Sequence, residues 1–234
     1  MRKILLPGLL MALAASASDG VEGRPAAIAI DYPQEGSIFP PEITPPTFLW
    51  RDGAKGVALW RIDVSFGDGT AAIHTTSQGA RPRIGWIDPD CVADTNAPPK
   101  LTPQMAAAHS WTPDPAMWQA IKRHSVARPA TVTIGGFRGD APQEVVSRGK
   151  VTLRTSADAV GAPIFYRDVP LMPSELEKGV IKPLAAEAIP LVAWRVRNVG
   201  EPRSRVVMEN LPLCANCHSF SADGKTMEIG RAHV

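Results

Sequence analysis

Between residues 57 and 66 the chain alternates, with Trp60, Ile62, Val64 and Phe66 on one face and Arg61, Asp63 and Ser65 on the other. Period two with one wet face predicts a strand of an antiparallel sheet. Phe66-Gly67-Asp68-Gly69-Thr70 follows, and its glycines give a turn access to positive φ. Shorter runs predict strands at 27–30, 47–50, 83–87, 131–134, 144–147 and 150–154, separated by Pro, Gly and Asp clusters. One segment breaks this rhythm. In 114–124 Asp114 is a cap, Pro115 suits the first helical position, and Met117, Trp118 and Ile121 form an apolar stripe. A helix is expected there, plugging one end of the strand layers. Residues 36–46 contain Pro40-Pro41 and Pro45-Pro46, which cannot donate to a ladder, so this stretch reads as an extended lead-in with a structural task.

Short strands at this spacing over 25–156 predict a mainly β fold whose N-terminal part is an immunoglobulin- or fibronectin III-like β-sandwich. The texture changes near 157–162. Strands are expected at 163–169, 191–198 and 204–209, the second with Val192, Trp194 and Val196 on one face, and 174–179 has room for one helical turn at most. Residues 157–227 therefore form a second, short β-rich region. Neither region contains an internal repeat. Composition sharpens this picture in one respect: 23 of the 234 residues are proline, about one in ten and roughly twice ordinary usage. Coiled coils and long helical bundles are excluded, because that many missing N–H donors would break helices throughout. Lys+Arg 25 against Asp+Glu 23 leaves no basic footprint for nucleic acid.

The two ends carry signals of a different kind. Met1-Arg2-Lys3 is followed by an apolar run over 4–15 and then by Ala15-Ser16-Ala17. A basic start, a short apolar stretch and an A-x-A site predict a Sec-type signal peptide over 1–17, cut after Ala17. The run is too short to span a bilayer, and no membrane span is expected after cleavage. The mature protein is thus expected to be periplasmic or secreted. At the other end, Glu228-Ile229-Gly230-Arg231-Ala232-His233-Val234 resembles the translation of a common short-read sequencing adapter. The expectation is that 228–234 is adapter-derived and that the genuine chain continues beyond Met227, so His233 is set aside as a ligand.

The most informative stretch is Cys214-Ala215-Asn216-Cys217-His218, a C-x-x-C-H. Two thiols three residues apart can add to the two vinyl groups of one haem, and the imidazole next to the second reaches the iron from the proximal side. The export signal is an independent condition for such chemistry, since haem c is attached outside the cytoplasm. The expected site is therefore Cys214 and Cys217 as thioether anchors and His218 as iron ligand, holding one covalent haem c. Other readings remain open. An exported C-x-x-C can form a disulfide. Zinc needs a fourth ligand that neither a second C-x-x-C nor an H-x-x-x-H supplies. A thioredoxin-like role lacks its strand-to-helix setting. Cys91, the odd cysteine, is assigned no function. Met208, Met172, His109 and His124 come into consideration for the sixth iron position, while Met227 lies only nine residues past His218. None is assigned.

From Cys214 through Met227 the sequence resembles a family of exported bacterial proteins that join an immunoglobulin-like region, a haem motif and a TolB-like β-propeller. Phe220-Ser221-Ala222-Asp223-Gly224-Lys225-Thr226 is similar to the F-S-P-D-G-K-x hairpin that recurs once per blade in such propellers, with Ala222 where proline is usual. The resemblance implies that a propeller begins here and continues past Met227. It also sets the chain apart from a class I cytochrome c, whose motif opens a helical domain. The expected function is an exported haem protein for electron transfer or small-ligand sensing, working with a redox partner protein. The alternative is a secreted β-sandwich and propeller scaffold, with tryptophans 50, 60, 86, 111, 118 and 194 as candidate contacts and the cysteines in a plain disulfide. No nucleophile elbow, paired-carboxylate pattern or phosphate-cradling loop points to a hydrolase.

Overall fold

A computed structural model of the protein describes residues 24–85, 100–139, 144–170, 172–211 and 217–230. The proposed signal peptide, Cys91 and Cys214 lie outside the described residues, as do 231–234 of the proposed adapter tail.

The fold is mainly β. Eight strands between residues 26 and 155 join into one strongly curved sheet: β1 (Ala26–Tyr32), β2 (Ser37–Phe39), β3 (Phe48–Asp52), β4 (Val57–Phe66), β5 (Ile73–Ser77), β6 (His109–Trp111), β7 (Ala130–Arg138) and β8 (Val145–Thr155). Their order is β5-β4-β7-β8-β1-β3-β6, with β2 parallel to the far end of β8. β1 makes the turn from one half of the sheet to the other. Its first residues pair in parallel with Ser147 and Arg148 of β8, and its later ones pair antiparallel with β3, with a register shift between Ile30 and Tyr32. β5 and β6 end the order, yet the chain leaving β5 comes back beside β6: Ser110 donates to the Ala80 carbonyl from both its backbone N–H and its hydroxyl, each at 2.8 Å. The sheet is nearly closed and barrel-like.

The closed side holds the core. Trp50, Trp60, Ile62, Val64, Val132, Ile134 and Leu153 are buried there at 2% exposure or less, so β4 alternates as its sequence demands. Each such side chain contributes about 1.5–3 kcal/mol by leaving water. Trp60 Nε1 and the Ser147 hydroxyl both donate to Asp52 Oδ2, so one carboxylate ties β3, β4 and β8.

The helix α1 (Pro103–Ala106) is a single turn, and the helix α2 (Pro115–His124) is the one expected. Asp114 Oδ1 caps α2 by accepting from the Met117 N–H at 2.8 Å, and Trp118 and Ile121 are buried against the core. The proline-rich lead-in fits over this helix: Trp118 Nε1 and Lys122 Nζ both donate to the Ile43 carbonyl, and Lys122 also donates to that of Pro41. Burial lowers the Lys122 pKa, and the Glu42 carboxylate acts against that shift.

The strands expected at 144–147 and 150–154 are a single strand, β8. Gly149 divides them in sequence, but in the sheet it lets β1 approach closely, since a Cβ there would stand 2.6 Å from the Ile28 carbonyl oxygen. The strand expected at 83–87 is not formed over 83–85, where the chain has left the barrel; its last two residues lie outside the described set. Residues 174–179 form bends and a turn without helix, because the Ser174 hydroxyl accepts from the backbone N–H groups of Leu176 and Glu177.

Candidate functional site

After residue 162 come a three-stranded antiparallel sheet, β9 (Ile164–Asp168), β10 (Ala193–Arg197) and β11 (Arg205–Met208), and a hairpin, β12 (Cys217–Phe220) with β13 (Met227–Gly230). A 3₁₀ helix, Ala186–Leu191, leads into β10. Alternation sorts the sheet into two faces. Phe165 and Arg167 of β9, Trp194 and Val196 of β10, and Met208 of β11 share one face, since Trp194 stands opposite both Arg167 and Met208. Ile164, Tyr166 and Val206 lie on the other face and are exposed, and Arg195 Nε donates there to Asp168 at 2.8 Å.

The hairpin turn is built from side chains. The backbone N–H of Lys225 and the Ser221 hydroxyl donate to Asp223 Oδ1, the Thr226 N–H donates to the Ser221 hydroxyl, and Gly224 takes a φ of 67°. All these residues lie upstream of 228, so the turn does not depend on the proposed adapter tail. The Ser221 and Lys225 hydrogen bonds, in that order, lower the Asp223 pKa. Pairing of Phe220 with Met227 and of His218 with Ile229 puts those four side chains on one hairpin face, and Cys217 and Ser219 on the other.

The two faces meet in an aromatic cluster. The Phe165 and Trp194 rings stack with centroids 5.0 Å apart, and the His218 ring packs nearly perpendicular to Trp194 at 4.8 Å. Phe220 stands edge-on to Phe165 at 5.1 Å. The Arg167 guanidinium lies 5.9 Å from the Trp194 ring, a cation–π distance. Trp194 is 1% exposed and its Nε1 has no hydrogen-bond partner among the described residues. A buried indole N–H without an acceptor costs about 1–3 kcal/mol, and so it marks a place where an acceptor is wanted.

Of the expected site residues, then, His218 packs against Trp194 and Phe165 while remaining exposed, Cys217 is a free exposed thiol on the opposite side of β12, and Cys214 falls outside the described residues. In residue types this set, two thiols and an adjoining imidazole beside the aromatic face of Phe165 and Trp194, is one that could hold a covalently attached haem. The extended geometry of Cys217–His218 is the part that must change, because a strand sends neighbouring side chains to opposite faces. Among the described residues no three His, Cys, Asp or Glu side chains gather as a metal group, and a single imidazole ligand needs none.

The sequence pointed to His218 but not to the surface that receives it. Phe165 sits in a five-residue run whose alternation was legible, yet which strand it would pair with was not. The other histidines considered for iron lie in β6 and at the end of α2: His109 Nδ1 is 2.9 Å from the Gly79 carbonyl oxygen, and His124 Nδ1 is 2.8 Å from Asp68 Oδ2. No protein family, no curated protein and no solved structure matches the chain.

Proposed function

We propose that this chain is part of an exported c-type haem protein, in which Cys214 and Cys217 would anchor one haem and His218 would ligate its iron. The observation that carries the reading is Cys214-Ala215-Asn216-Cys217-His218 together with the packing of His218 against Trp194 and Phe165. Bound haem would supply a one-electron couple or a coordination position for a small ligand. The residues of this chain do the rest. The thiols of Cys214 and Cys217 would hold the group, His218 would orient it, Phe165, Trp194 and Phe220 would offer it an aromatic surface, and Arg167 would supply positive charge beside it.

The same proposal extends to architecture and place. The β1 crossover, antiparallel to β3 and parallel to β8, and the parallel β2–β8 pair support an immunoglobulin- or fibronectin III-like module for 25–156. The Asp223-Gly224 hairpin supports a TolB-like propeller that begins there. Ala15-Ser16-Ala17 supports export to the periplasm or beyond, and a redox partner protein is the expected interactor. No helix among the described residues is long and apolar enough to cross a membrane.

The experiment is a haem stain on a denaturing gel with a pyridine haemochrome spectrum, on full chain co-expressed with a c-type maturation apparatus. Covalent haem with a c-type α-band in wild type, lost in the Cys214→Ser, Cys217→Ser double variant, is the expected result. A wild type that never acquires haem and shows, when denatured, one titratable thiol per chain that rises to three on reduction would instead establish the disulfide-bearing scaffold.

A further inference from the structure

We propose that the outer face of β8 carries a binding site for an acidic polysaccharide, in a groove lined by Arg148, Lys150 and Thr133 and flanked by Arg24. The inference is independent of the haem reading and concerns a different part of the molecule. Along β8 the side chains of Ser147, Val151 and Leu153 are buried in the barrel, so those of Arg148 and Lys150 leave from the opposite, exposed face, about 7 Å apart along the strand. Lys150 stands opposite Thr133 of β7. β1 pairs with β8 only at Ala26 and Ala27 and then turns to β3. Beside this departure Arg24, Pro25 and Ala27 wall a groove of about 770 Å³.

Charge sets the groove apart. Several arginines of the barrel hold the fold: Arg51 pairs with Asp31, Arg81 donates to the Ala107 and Ala108 carbonyls, and Arg154 donates to that of Val126. Arg24, Arg148 and Lys150 make no hydrogen bond or ion pair among the described residues. The carboxylates nearby are engaged. Glu35, close enough to interact with Lys150, accepts from the backbone N–H and the hydroxyl of Thr152. Asp63, opposite Thr133 on β4, accepts from Arg61 Nε and lies 2.6 Å from His74 Nδ1. An excess of positive charge is left for a ligand, and complementarity calls for an anion.

The lining narrows its class. No aromatic side chain lines the groove, so it lacks both the anchors of a protein interface and the stacking platforms that hold single-stranded nucleic acid. Cations beside the Thr133 hydroxyl suit a hydrated polyanion. At the end of the β4–β7 ladder Lys55 and Arg138 line a second groove, and Arg138 lies about 17 Å from Thr133 along β7. Two cationic grooves at that separation fit a chain of charged sugars better than one small anion.

The test titrates the full chain with polygalacturonate and with heparin, a carboxylated and a sulfated polysaccharide, and in parallel with neutral dextran and with polyglutamate. Expected is binding of at least one acidic polysaccharide, weakened as salt is raised, and none of dextran. The double variant Arg148→Glu, Lys150→Glu is expected to lose affinity about tenfold or more, with its thermal midpoint kept because both side chains are exposed and unpaired. Should it fail to fold, Arg148→Gln and Lys150→Gln, made singly, serve the same comparison. Lys178→Glu changes the charge as Lys150→Glu does, but outside the groove, and is expected to leave affinity unchanged. Failure of wild type to bind either acidic polysaccharide would overturn the site. So would an affinity untouched by the β8 variants or lowered as much by Lys178→Glu. Polyglutamate bound as tightly would replace the saccharide by an acidic protein segment and overturn the ligand class.

Discussion

His109 lies where the barrel closes. Its ring stacks on Trp50, stands 4.1 Å from Trp60, and its Nδ1 meets the Gly79 carbonyl on the returning chain. Burial lowers its pKa below the usual 6.5 and Arg81 adds to the shift, while the Gly79 carbonyl and Asp52 act against it. The folded state therefore keeps this imidazole neutral when the unfolded chain already takes up a proton. Stability is complete above about pH 6.5 and declines as pH falls through that value toward the lower folded pKa. Urea midpoints measured from pH 7.5 to 5 are expected to fall, and His109→Gln is expected to flatten that slope. Asp68 titrates in a separate window. The Thr70 N–H, then the His124 ring and the Thr70 hydroxyl, hold its carboxyl down at about 2, against an ordinary 3.8. Its contribution is present above about 3.8 and is lost as pH falls through about 2. A carboxyl carbon-13 titration with a midpoint near 3.8 would contradict the hydrogen bonding described.

At the scale of elements, α2 and β8 show why some of the chain could be read and some could not. α2 was legible because cap, first-turn proline and apolar stripe are local, and the fold adds only the partner surface. Asp114→Ala removes the acceptor of the Met117 N–H and is expected to cost about 1 kcal/mol, read as a shift in urea midpoint. β4 was legible for the same reason. β8 was read as two strands because glycine weakens a strand locally, and only the packing of β1 over Gly149 explains the uninterrupted ladder. Gly149→Ala is expected to destabilise the barrel by about 1–3 kcal/mol through that overlap with Ile28. A neutral Gly149→Ala would mean β1 is not held there. β2, β5 and β6 escaped notice: two are three residues long, and Ile73–Ser77 has polar side chains on both faces, so their pairing comes from neighbours distant in sequence. The site divides in the same way. The ligand spacing is written in five consecutive residues, whereas the meeting of His218 with Trp194 and Phe165 depends on three strands spread from 164 to 208.

Across the whole molecule, the lead-in at 40–46 is the joint between barrel and three-stranded sheet. From one side it accepts the donors of Trp118 and Lys122; on the other, the Thr44 N–H donates to the Val199 carbonyl at 3.1 Å and Glu42 accepts from the Val160 N–H. Prolines that cannot join a ladder therefore serve as a rigid ledge whose carbonyls remain available. Gly200 lies against this ledge so closely that a Cβ would stand 2.8 Å from the Glu42 carbonyl oxygen. Gly200→Ala must push the β10–β11 loop away while leaving the barrel core untouched. In hydrogen exchange followed by mass spectrometry, faster exchange at Thr44 and Val160 is expected, with β7 and β8 protected as before. Unchanged exchange at Thr44 would remove this joint, and loss of protection across β7 and β8 would show that the barrel depends on the second sheet for its own stability. The distinction bears on the haem proposal, because a sheet anchored at this ledge holds Phe165 and Trp194 in place as the surface against which His218 packs.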